Sequence, residues 1–89
     1  MELKILDFWA PWCSPCRTMS PILEEVEKET GVTIQKINVD EDEKHVIAYG
    51  VRNIPTLIFL KDNKVVDKVS GTVSKEVLIN KINEYSRRT

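Results

Sequence analysis

Cysteine and histidine are scarce in this sequence, which holds two cysteines, Cys13 and Cys16, and a single histidine, His45. A closed structural zinc site takes about four ligands, so this chain alone cannot supply one; zinc would need a dimer sharing two half-sites. An excess of charge of either sign is also missing, since thirteen Lys and Arg stand against fourteen Asp and Glu for a formal net charge of -1. That balance gives neither the basic field of a nucleic-acid binder nor a polybasic membrane patch, and neither nucleic acid nor membrane is expected as a partner. No apolar run approaches the roughly 18 to 20 residues that span a bilayer, and Met1-Glu2-Leu3-Lys4 lacks a signal peptide's basic flank and long apolar centre. The expected compartment is the cytoplasm. Repeats, low-complexity tracts and linkers are absent, and 89 residues at 42% hydrophobic content suit a single domain over 1–89 with one core.

What is present reads as alternating strands and helices. Leu3 to Trp9 is almost continuously apolar, the mark of a central strand covered on both faces, with Asp7 as its one misfit. Met19, Ile22, Leu23 and Val26 then recur at helical spacing up to Gly31, a natural left-handed cap, and Pro21 is expected to bend that helix. Val32 to Val39 is rich in β-branched residues and follows a helical crossover, so it predicts a strand parallel to the first. Asp40 with Glu43 fits a capping box before a short helix carrying Val46, Ile47 and Tyr49. Pro55 opens the run Thr56 to Leu60, Asp62-Asn63 makes a turn, and Lys64 to Val69 returns as a hairpin arm. Ser74 caps a last helix with the stripe Val77, Leu78, Ile82 and Tyr85, and Arg87 and Arg88 sit near its negative end. The order is βαβαββα, an α/β fold.

The spacing of Cys13 and Cys16 leaves three readings: a staple, half a metal site, or a redox couple. As a staple it is weak, because closing four residues removes about 2 kcal/mol of unfolded-state freedom against about 3 for a fifteen-residue loop. A redox couple is favoured by the spacing and the expected reducing compartment. The turn from Ala10 to Cys16 follows the first strand, on the edge of the sheet where α/β proteins place their chemistry. If a helix starts near Cys13, its free N–H groups and positive dipole end favour a thiolate there, and Pro15 suits the first turn, where its missing N–H costs nothing. Cys13 is then the exposed nucleophile and Cys16, one turn inside, the buried partner. Lowering a thiol pKa from about 8.5 to about 7 raises its thiolate fraction roughly sixteenfold at neutral pH, but lost nucleophilicity reduces the net gain to a few-fold. Geometry and the intramolecular attack by Cys16 must supply the rest.

Asp7-Phe8-Trp9-Ala10-Pro11-Trp12-Cys13-Ser14-Pro15-Cys16, Pro21-Ile22-Leu23 and Ile54-Pro55-Thr56 together resemble the thioredoxin family, in register along nearly the whole chain. The resemblance implies that Cys13 attacks a substrate disulfide, that Cys16 resolves the mixed disulfide, and that Pro55 is cis and lies against the pair. It further implies that Trp12, Ile54, Pro55 and Gly71 form a flat apolar surface for substrate backbone, and that a thioredoxin reductase supplies electrons. No bound cofactor is implied beyond the Cys13–Cys16 disulfide. The family usually has a further strand and helix before the first strand seen here, so four strands in the order 2-1-3-4 with three helices are expected. Ser14 replaces the family's usual glycine, and its hydroxyl can hydrogen-bond the Cys13 sulfur and shift the potential.

Asp7 stands between Leu6 and Phe8, where an unpaired carboxylate is costly, so it should be protonated or paired. The resemblance gives it the role of buried proton acceptor for Cys16 through water, and matches Lys36 to a lysine that approaches this carboxylate. Trp9 reads mainly as packing, Trp12 as a recognition surface, His45 as solvated, and Asn63 as a turn residue; Gly71 is either a turn residue or a point of close substrate approach. The function expected is a monomeric protein-disulfide reductase. Two alternatives are a glutathione-coupled, glutaredoxin-like reductase, against which Trp12 and Ser14-Pro15 speak, and a non-catalytic subunit that holds a partner by its apolar face.

Overall fold

The computed structural model describes residues 2–87, so Arg88 lies outside the described residues. Along the chain run β1 (Leu3–Trp9), α1 (Ser14–Thr30), β2 (Thr33–Asn38), α2 (Glu43–Ala48), β3 (Thr56–Lys61), β4 (Lys64–Ser70) and α3 (Lys75–Arg87). The strands form one sheet in the order β2-β1-β3-β4, with β1 and β2 parallel and the other neighbours antiparallel. This is the expected topology.

The apolar run of β1 is explained by its place in the sheet. Ile5 packs on one face with Met19, Leu23 and Val26 of α1, Leu57 and Phe59 of β3, and Leu78, Ile82 and Tyr85 of α3. Leu6 and Phe8 point the other way, onto Ile37, Ile58 and Leu60, over which Val46, Tyr49 and Val51 lie. Two clusters therefore share one central strand, and each fully buried Ile or Phe contributes about 1.5–3 kcal/mol.

Local signals mostly place the ends of these elements. Gly31 takes φ 73° after α1 and its N–H donates to the Glu27 carbonyl at 2.9 Å. Asp62 and Asn63, both at positive φ, turn β3 into β4, and a bulge falls between Phe59 and Leu60. The Ser74 hydroxyl oxygen accepts from the Val77 N–H at 3.2 Å. α1 runs unbroken through Pro21. Two expectations need correction. Asp42, not Asp40, caps α2, accepting from the His45 N–H at 3.1 Å, because the turn at 39–41 takes up the residues before it. Val77 is 41% exposed, and the buried stripe of α3 is Leu78, Ile82 and Tyr85. A polar clamp joins β4 to α3: Lys81 Nζ and the Tyr85 hydroxyl each donate to Asp67 Oδ2 at 2.7 Å. Burial alone would raise the Asp67 pKa, but the bonds from Lys81, Tyr85 and the Lys68 backbone together hold it below the usual carboxylate value.

Candidate active site

Parallel pairing brings the C-terminal ends of β1 and β2 to one edge of the sheet, and antiparallel pairing brings the start of β3 and the end of β4 to the same edge. Four connections meet there: 10–13, 39–42, 52–55 and the exit through Gly71. In the first, the Cys13 N–H donates to the Ala10 carbonyl at 3.1 Å, a tight turn that delivers Cys13 in an extended conformation as the N-cap of α1. Ser14 and Pro15 form the first helical positions, where Pro15 leaves no donor unpaired. The Cys16 N–H donates to Cys13 Sγ at 3.2 Å, so the sulfur occupies the place that a Ser or Asp oxygen takes in an ordinary cap. That bond comes from backbone rather than from the Ser14 hydroxyl, and Ser14 is exposed. Cys13 and Cys16 form a disulfide with Cα atoms 5.3 Å apart.

One expectation fails here: Cys13 is 4% exposed and Cys16 6%, so both are buried. Ala10 completes their cluster, and Trp9, Val39 and Ile54 pack around it. The two sulfurs differ in position instead. Cys13 sits at the end of the helix facing its N–H groups, whereas Cys16 lies on the inner stripe of α1 with Met19, Leu23 and Val26.

Trp12 is 67% exposed, and its Nε1 donates to Asp40 Oδ2 at 3.0 Å. Asp40 is held in turn, since its N–H donates to Asn38 Oδ1 at 2.9 Å. Sequence reasoning missed this role of Asp40; the available signal was its place just after β2, on the same edge as the cysteine turn. The Ile54–Pro55 bond is cis. Pro55 is buried and Ile54 half-buried, so the exposed apolar surface falls to Trp12 and Ile54. Gly71, at φ 85°, donates its N–H to the Pro55 carbonyl at 2.8 Å and ties the end of β4 to the proline loop. Beside the disulfide opens a groove of about 450 Å3 lined by Trp12, Val39, Val46, Val51, Arg52, Asn53 and Ile54.

Asp7 is 5% exposed. Alternation along β1 puts it on the α1 face with Ile5, the face that Cys16 also meets. Burial pushes its carboxyl from 3.8 up to about 6, and the charge of Lys36, its register partner on β2, offsets part of that rise. Lys36 is exposed and donates to Ser20 Oγ at 3.3 Å. His45 stands apart from this constellation; it is paired rather than merely solvated, with Nδ1 2.8 Å from Asp42 Oδ2 and its ring stacked on Tyr49. Among the described residues no group of three or more His, Cys, Asp or Glu is placed to hold a metal ion, and no helix is long and apolar enough to cross a membrane.

The sequence model of the thioredoxin family matches residues 1–84. A thioredoxin from Bacillus subtilis is 46% identical over 83 residues, covering 91% of this chain and 80% of that protein. One from Chlamydia caviae is 46% identical over 85 residues, 94% of this chain and 83% of that protein. The solved structure of a thioredoxin from Halobacterium salinarum superposes with a TM-score of 0.94 at 34% identity, over 99% of this chain and 78% of that one. Agreement of sequence and of backbone over so much of the chain leads to one conclusion: the chain belongs to the thioredoxin family and is a thiol–disulfide oxidoreductase acting through Cys13 and Cys16.

Proposed function

We propose that the protein reduces disulfides in other proteins, with Cys13 as the attacking thiolate, Cys16 as the resolving thiol and Asp7 as the group that takes the Cys16 proton through water. The observation that carries the assignment is the Cys13 sulfur at the helix N-cap with the Cys16 N–H on it, because the dipole and that donor stabilise the anion before attack and as a leaving group. The Cys13 thiolate attacks one sulfur of the target, forming a mixed disulfide and releasing one target thiolate. Cys16 then loses its proton toward Asp7, attacks Cys13 Sγ and expels the second target thiolate. Two electrons pass to the target, and the Cys13–Cys16 bond closes. A carboxyl with a pKa of about 6 is mostly ionised at neutral pH yet basic enough to accept a proton transiently.

Trp12 and Ile54 receive the target segment, and Pro55 with Gly71 fixes the loop that faces it. The electron donor on this reading is a thioredoxin reductase, the compartment is the cytoplasm, and the protein works as a monomer. The deciding experiment is reduction of insulin with reductase and NADPH, together with trapping by Cys16→Ser. Turnover by the parent and stable mixed disulfides on Cys13 of the variant are expected. Reduction by glutathione but not by the reductase would replace the donor, and a parent without turnover would leave only a binding role.

A further inference from the structure

The groove beside the disulfide is apolar over Trp12, Val39, Val46, Val51 and Ile54, and Arg52 is the one charged residue among those that line it. Its polar neighbour Asn53 is exposed but bonded within the loop: the Thr56 hydroxyl donates to the Asn53 carbonyl at 2.7 Å and lies 3.4 Å from its side-chain oxygen. Nearby cations are engaged with backbone, Arg17 Nη1 on the Pro11 carbonyl at 2.7 Å and Lys68 Nζ on the Gly50 carbonyl at 3.0 Å. Of the carboxylates on the same edge, Asp40 accepts from Trp12 and Asp42 pairs with His45, while Glu41 and Glu43 are exposed, and none of the four forms an ion pair with Arg52. Arg52 is exposed and forms no ion pair among the described residues. It therefore presents a positive charge without a salt-bridge partner at the wall of an otherwise apolar groove.

We infer that Arg52 determines specificity in the reduction, selecting target segments that lay an apolar side chain in this groove and carry a carboxylate about two residues from the attacked cysteine. The spacing comes from the chain itself. Ile54 packs on the Cys13–Cys16 cluster, and Arg52 stands two positions before it, at most about 7 Å along the chain, a reach that an extended target covers within two of its own residues. The inference rests on attack by Cys13 as proposed above. An exposed ion pair of this kind changes kcat/KM by about two- to fivefold and is weakened by salt.

The test uses three disulfide-linked peptides that differ only in having Glu, Gln or Lys two residues from the attacked cysteine. For the parent, the ranking in kcat/KM is Glu above Gln above Lys, compressed at 0.5 M salt. In Arg52→Gln the spread closes, and in Arg52→Glu the ranking inverts. An Arg52→Glu protein that keeps the parent's ranking, or a parent that treats all three peptides alike, overturns the inference while leaving disulfide reduction intact. A parent that reduces none of them removes the attack by Cys13 and this inference with it.

Discussion

Asp7→Asn tests the buried carboxylate from two sides. With a carboxyl pKa near 3.8 when unfolded and about 6 when folded, the ionised group favours the unfolded chain by roughly 3 kcal/mol at neutral pH, at 1.36 kcal/mol per pKa unit. The sign follows from the raised folded pKa: this group's contribution to stability is fully present below pH 3.8 and is lost as pH rises through about 6. The amide does not ionise, so Asp7→Asn should be more stable than the parent at pH 7 by about 2–3 kcal/mol, or roughly 10–20 °C in Tm for a chain of this size. Near pH 3.5 the two proteins should melt together. Other carboxylates, including the clamped Asp67, titrate alike in both and cancel from the difference. Thermal melts of the oxidised proteins from pH 3.5 to 8 measure the curve, and insulin turnover of the same samples should fall because Cys16 has lost its proton acceptor. A difference in Tm that stays flat with pH, or an Asn variant that is less stable and fully active, would refute both the burial argument and the proton path.

Asp40→Ala removes the acceptor that fixes the exposed Trp12 indole; KM for a protein disulfide should rise about two- to fivefold with Tm nearly unchanged, and Asp40→Asn, which keeps an acceptor, should restore most of it. An unchanged KM would mean that the indole needs no anchor. Asp67→Asn keeps the shape of the clamp but loses its charge opposite Lys81, and should cost about 1–2 kcal/mol at pH 7. Because the folded pKa of Asp67 is lowered, that cost should vanish as pH falls below the ordinary carboxylate value, and a deficit that persists in acid would assign it to packing instead.

Legibility in the sequence followed the range over which each signal acts. β1 declared itself because a strand buried on both faces must be apolar throughout, and the same rule exposed Asp7 as the residue needing a reason. The cysteine turn was legible because its chemistry is local to one contiguous run, whereas the Ile54-Pro55-Thr56 loop was legible through its resemblance to the thioredoxin family. What escaped depends on contacts across the chain. Burial of Cys13 comes from Trp9, Val39 and Ile54, which belong to three different segments. The Trp12–Asp40 bond joins residues 28 positions apart, and the Asp67 clamp depends on which face of α3 meets β4. The α2 cap slipped by two residues because Asp40 and Asp42 are equally good caps and only the length of the preceding turn decides between them.

α2 contributes no fully buried residue, although Val46 and the chain just after it wall the groove. The remaining parts of the site are pinned to the central strands, which both hydrophobic clusters enclose. Val46 and Tyr49 nonetheless roof Leu6, Phe8, Ile37, Ile58 and Leu60, so lifting α2 away would uncover the second core cluster. The short helix that borders the cleft is thus also the cover of a core, and a substitution at Val46 would disturb the groove and the fold together.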